Sequence, residues 1–180
     1  MRTAILLCSW IVSGTCAAEM VSACDVGAKS RQRVEIIREA RLASTYVYYL
    51  RQGRQRVPFF ETAEQSRGES VLVQCVGKSQ RVLIVSGEFT ANALQGFVVS
   101  YPSIGAGLKR LDFAEKSRPI WLYLSASQVM VVSATFGYGE TDAKYVLYRH
   151  VVGLEDQTEA VNELPPLAGF ERVKLSTAVK

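Results

Sequence analysis

The chain has 180 residues, 48% of them hydrophobic and 21% charged, with a formal net charge of +4. That length suits one globular domain able to bury roughly 70% of the surface its unfolded chain exposes, so neither a structural metal nor a dense cysteine framework is needed to hold a core. The charge is modest and does not by itself mark a nucleic-acid binder.

The amino terminus reads as a targeting segment. Met1-Arg2 is a short basic start, Ala4 to Val12 is almost wholly apolar, and Ser13 to Ala18 is small and neutral before Glu19. This is the order of a secretory signal, so residues 1–18 are read as a signal peptide cleaved after Ala18 or one residue earlier. The apolar run falls well short of the ~20 residues that span a bilayer, and no transmembrane helix is expected. A buried strand at the start of a cytosolic protein is the alternative. Val21-Ser-Ala-Cys24 also has the shape of a bacterial lipoprotein box, in which Cys24 becomes the acylated first residue, although Glu19 interrupts the apolar run just before it. Cysteine arithmetic favours a different use. Cys8 and Cys16 leave with the signal, and Cys24 and Cys75 remain as an even pair in an oxidising compartment, where a disulfide is expected. Closing a loop of about 50 residues stabilises a fold by on the order of 4 kcal/mol in the chain-entropy model.

From Gly27 onward the pattern is dominated by strands. Arg33 to Leu42 fits either a helix capped by Ser30 or a strand, with the β-rich sequence that follows favouring the strand. Ser44 to Leu50 is strongly strand-forming, Gln52-Gly53 supplies a turn, and Arg54 to Phe60 returns, with Pro58 confining that return to an edge. Glu61 to Glu69 reads as a loop or one helical turn. Val71–Val76 and Arg81–Ser86 flank Gly77-Lys-Ser-Gln80 as the clearest hairpin of the chain. Phe97–Tyr101 and the alternating Leu108–Phe113 add two more strands. Ile120–Leu124, Gln128–Phe136 and Lys144–Val152 then form a three-strand antiparallel meander around which the domain is expected to pack. Beyond Gly153, Asp156 to Leu164 suits a short helix before Pro165-Pro166, and Phe170 to Leu175 an edge strand or a mobile tail. The expected fold is all-β, with antiparallel meanders forming a β-sandwich or a partial propeller-like stack and at most one or two short helices. The expected division is 1–18 signal, 19–153 β domain and 154–180 carboxy-terminal segment.

The chemistry is sparse. His150 is the sole histidine, on a strand face with Val146, Tyr148 and Val152, and no nucleophile–base constellation surrounds it. No CxxC or HxxxH spacing suggests zinc, and Gly137-Tyr-Gly-Glu lacks the lysine of a phosphate-binding loop, so no metal or cofactor is expected. Glu140 and Asp142 could serve a carboxylate-dependent hydrolase or simply be solvated turn residues. Tyr138, Glu140, Thr141 and Asp142 project from the turn between two strands and are the candidate partner-contact loop.

Charge is also unevenly placed. Arg31, Arg33, Arg38, Arg41, Arg51, Arg54 and Arg56 meet only Glu35 and Glu39 locally, whereas 154–164 carries four acids and no base. The arginines alternate with tyrosines in a pattern that could suit nucleic acid, but export points instead to an anionic surface or an acidic protein, with Arg51, Arg54 and Arg56 as a basic surface. The functional expectation is an exported, non-enzymatic protein that binds another protein in the envelope or outside the cell, in the manner of an inhibitor or immunity protein. A structural envelope component anchored through Cys24 and a hydrolase are the alternatives.

Overall fold

The computed structural model describes residues 18–29, 31–102, 107–136 and 141–178. Residues 1–17 of the expected signal peptide lie outside this set, as do Tyr138 and Glu140 of the expected contact loop. The described residues form thirteen strands: β1 (Glu19–Val26), β2 (Gln32–Arg38), β3 (Tyr46–Gln52), β4 (Gln55–Pro58), β5 (Arg67–Val76), β6 (Val82–Glu88), β7 (Leu94–Ser100), β8 (Lys109–Glu115), β9 (Pro119–Leu124), β10 (Gln128–Ala134), β11 (Tyr145–Val151), β12 (Gln157–Val161) and β13 (Glu171–Lys174). All pairings are antiparallel, in an eight-stranded sheet ordered β1-β2-β3-β5-β6-β7-β8, with β4 beside β3, and a five-stranded sheet ordered β12-β11-β10-β9-β13. Neither sheet is closed, and together they make a β-sandwich. The 31–42 region resolves as a strand, and the 119–153 meander is β9–β11.

The central strands are buried on both faces, which explains why Val82-Leu-Ile-Val85 and Phe97-Val-Val99 are continuous apolar runs rather than alternating ones. The odd-numbered side chains Leu83, Val85, Phe97 and Val99 join Cys24, Val26, Val34, Ile36, Tyr48 and Phe59 in a first core. The eight-stranded sheet therefore rolls so that β1–β3 lie over β5–β7. Their neighbours Val82, Ile84 and Val98 point the other way, with Leu111 and Phe113, onto Leu122, Leu124, Val129 and Val131 of the second sheet. A third cluster, Tyr123, Met130, Val132 and Leu147, lies on the outer face of that sheet, with Leu164 and Phe170 packed against it.

The roll is fastened by the expected bond. Cys24 and Cys75 form a disulfide with a Cα–Cα distance of 5.6 Å, joining β1 to β5, and Gly27 exchanges backbone hydrogen bonds with Arg81 just before β6. A lipid-anchored protein would need Cys24 as a thioether, and one sulfur cannot serve both bonds. Arg118, between the sheets, donates to the carbonyl of Ser70 in the bulge of β5 and to both the carbonyl and the hydroxyl of Ser86. Burial pushes its guanidinium pKa down, against the opposing attraction of Glu88.

The carboxy-terminal stretch departs from expectation in its first half, while Phe170 to Leu175 supplies the expected edge strand. Asp156 to Leu164 is not a helix: Gln157–Val161 is β12, paired with β11 from Tyr145↔Val161 to Arg149↔Gln157. Backbone pairing offered by the open edge of β11 overrides the helix-compatible composition of that segment. Residues 162–170 then cross the outer face to place β13 at the opposite edge, against β9. Leu175 enters the second core, and Ser176 exchanges two hydrogen bonds with the Gln74 side chain at 2.8 and 3.1 Å. The carboxylate of Glu171 accepts from the backbone amides of Lys78 and Ser79 at 2.7 and 2.9 Å and from the Ser79 hydroxyl.

Candidate partner-binding face

The outer face of β1–β4 has no element packed on it among the described residues, and it gathers the three expected surface arginines into one place. Gly53, at φ 56°, opens a two-residue turn between Gln52 and Gln55, and the resulting register sets Arg51 directly opposite Arg56. Two guanidinium groups opposed across strands repel each other, so the arrangement needs compensation. Glu35 receives Arg51 at 2.5 Å and Arg33 at 3.1 Å, and Glu39 receives Arg56 at 2.5 Å. The hydrogen bonds from Arg51, then Arg33, hold the Glu35 carboxyl below the usual carboxylate range. The Arg56 guanidinium also lies 3.5 Å above the Tyr49 ring, a cation–π contact that keeps it flat on the sheet. Arg54, at the turn, is exposed and forms no ion pair or hydrogen bond with a described residue.

These three arginines, with Ala18, Met20 and Ile37, line a depression of about 320 Å³. Met20 is 54% exposed although Ile37, its partner across β1 and β2, is buried. The face therefore combines arginine, tyrosine and an exposed methionine, residue types enriched at protein interfaces. Sequence reasoning located the arginines but not Met20 or Ile37, whose juxtaposition follows from the β1–β2 register. It also overstated the charge imbalance. Asp25 and Glu19, upstream of the basic stretch, reach Arg33 and Arg38 at 3.8 and 2.8 Å.

The expected contact loop is described only in part. Thr141 turns its hydroxyl inward to accept from the Ala143 amide at 3.2 Å, and Thr135 closes the loop base through its hydroxyl to Ala143 and its amide to the Lys144 carbonyl. Asp142 is exposed. The loop and the arginine face belong to different sheets: the loop joins β10 to β11, and the arginines stand on β3, β4 and their turn.

His150 pairs with Asp156, Nδ1 to Oδ1 at 2.6 Å, the orientation that two members of a catalytic triad would share. Its Nε2 is buried without a hydrogen-bond partner among the described residues, so the ring presents no base to solvent. Among the described residues no three His, Cys, Asp or Glu side chains group as metal ligands.

One concavity had no sequence signal. Phe59, Phe60, Phe89, Gln95, Arg110 and Asp112 line a groove of about 530 Å³ beside the arginine-bearing layer. Arg110 lies 4.0 Å over the Phe97 ring and makes a two-pronged contact with Asp112, and Phe89 rests where a Cβ on Gly68 would come within 2.5 Å of it. These residues come from four separate stretches, which no local motif could have connected.

Comparison of the chain with protein-family models, curated proteins and solved structures finds no match.

Proposed function

We propose that this chain is an exported, non-enzymatic binding protein that holds an acidic protein partner on the outer face of β1–β4. The observation that carries the reading is the convergence of Arg51, Arg54 and Arg56 on a depression floored by Met20 and Ile37. Arg51 and Arg56 are each held by a glutamate, whereas Arg54 forms no ion pair with a described residue and adds a positive charge at the rim that an anionic partner would meet. Export is supported by the order of residues 1–18 and by the disulfide, a bond that persists in oxidising, extracytoplasmic compartments. The periplasm or the exterior of the cell is the proposed location, and a partner that is itself an enzyme would make the protein an inhibitor or immunity factor.

Affinity capture from an envelope extract tests this, comparing the wild type with a variant carrying Arg51→Ala, Arg54→Ala and Arg56→Ala. Selective loss of one acidic protein from the variant is the expected result. Identical recovery by both proteins would overturn the assignment of this face.

A further inference from the structure

The end of the basic block and the acidic block lie at two sheet edges that are open among the described residues. Among the described residues β4 pairs only with β3, and Gln55, Arg56 and Val57 are exposed along it, with Arg54 at its start. Among the described residues β12 pairs only with β11, and Gln157 to Ala160 are exposed along it, with Glu155 and Asp156 before it and Glu163 after it. Among the described residues the two blocks make no ion pair with each other. Every described ion pair of the arginines is with Glu19, Asp25, Glu35 or Glu39, whereas Asp156 meets His150 and Glu159 meets Arg149 at 3.7 Å. Glu155 and Glu163 form no ion pair with a described residue.

An open strand edge is a template for another strand, and the charges on it select which strand can add. β12 against β12 would oppose acids to acids, and β4 against β4 would oppose arginines to arginines. β4 against β12 brings Arg56 beside Glu159, the one cation and the one anion of the two strands, with Arg54 and Glu155 flanking them. We propose that the acidic partner of the arginine face includes a second copy of this chain, whose β12 edge adds alongside β4. This rests on the binding reading given above, since Arg54 and Arg56 belong to that face. The contact is heterologous, so each copy keeps one edge of each kind free for the next, and assembly grows head to tail. Pro58 has no amide to donate and limits backbone pairing to Gln55–Val57. An interface that short and charged gives reversible association weakened by salt.

Sedimentation velocity of the disulfide-intact protein tests the proposal. The wild type is expected to gain mass with concentration in low salt and to return to monomer in high salt, a response that depends on no substitution. One variant, Arg54→Gln with Arg56→Gln, and another, Glu155→Gln with Glu159→Gln, should each stay monomeric with unchanged circular dichroism. Their equimolar mixture retains one intact pairing and should form 1:1 dimers that do not grow. A wild type that stays monomeric in low salt, a single variant that associates like it, or a mixture that stays monomeric would each overturn the proposal. Arginine-dependent capture of a different acidic protein by a monomeric wild type would retain the binding reading while removing self-association. Self-association without arginine-dependent capture of another protein would narrow the partner to the chain itself.

Discussion

The two ends of the chain are fastened to the same hairpin in two chemically different ways. Cys75, near the end of β5, holds the amino-terminal strand by a covalent bond on the side of the first core. Its sequence neighbour Gln74 faces the opposite side and, with Lys78 and Ser79 of the turn, holds the carboxy-terminal stretch by hydrogen bonds. Alternation along one strand is what allows this: adjacent side chains leave opposite faces of the sheet. The first attachment acts chiefly by restricting the unfolded chain. The second acts in the folded state and depends on the charge of one carboxylate. The two ends should therefore respond differently to redox conditions and to pH.

The largest effect should come from the covalent side. A variant with Cys24→Ala and Cys75→Ala is expected to lose on the order of 4 kcal/mol, as the loop constraint on the unfolded chain is removed. Denaturant unfolding under oxidising conditions measures this, and a loss no greater than that of the carboxy-terminal variant below would erase the distinction between the two attachments. Next in size is a substitution in the hairpin turn that serves both. Gly77 has φ 97°, and a Cβ there would lie 2.0 Å from the Gln80 carbonyl oxygen and 2.8 Å from Leu124. Gly77→Ala should cost on the order of 2–3 kcal/mol and loosen the carboxy-terminal stretch. Hydrogen exchange at 171–176 reads this, and unchanged protection there would detach the turn from the clamp.

The smallest effect is the most diagnostic. Burial works to raise the Glu171 carboxyl, but the hydrogen bonds from Ser79 and Lys78 outweigh it and hold the group below the usual carboxylate range. A depressed carboxylate stabilises the fold above its unfolded pKa of about 4.3, and that contribution disappears as pH falls through the folded value. Glu171→Gln should cost about 1 kcal/mol near neutrality, a partly solvated pair being screened. It should also flatten part of the acid limb of stability below about pH 5, leaving the portion due to Glu35. A variant whose acid limb coincides with that of the wild type would show that the charge on Glu171 does not act through this clamp.

What the sequence made legible follows from the range over which each signal acts. The meander of β9–β11, the β5–β6 hairpin and the Gln52-Gly53 turn are local patterns of alternation and turn chemistry, and they stand where the pattern put them. The Cys24–Cys75 bond was reachable by elimination among four cysteines. The rolling of β1–β3 over β5–β7 was not, because an apolar run such as Val82–Val85 says that both faces are covered without saying by what. The clamp was hidden for the same reason: Glu171 reads as one more exposed acid until its partners, 92 and 93 residues earlier, are brought to it. Gln157–Val161 misled in the opposite direction, since a mixed composition suited to a helix was recruited by the unpaired edge of β11.

The wiring of the β5–β6 hairpin has a kinetic consequence. Its link to β1 spans 51 residues, whereas its link to Ser176 spans 102. Contacts so distant in sequence form slowly, because the entropy of closing the intervening loop is lost before any packing is gained. The first core can assemble once residue 101 is present, but until the second sheet arrives Val82, Ile84 and Val98 have only water on their other side. A growing chain of this kind is half-wrapped for most of its synthesis, vulnerable to aggregation and open to chaperones. The face of β6 and β7 that awaits the second sheet is the surface such a chain must keep from other chains until its last strands are made.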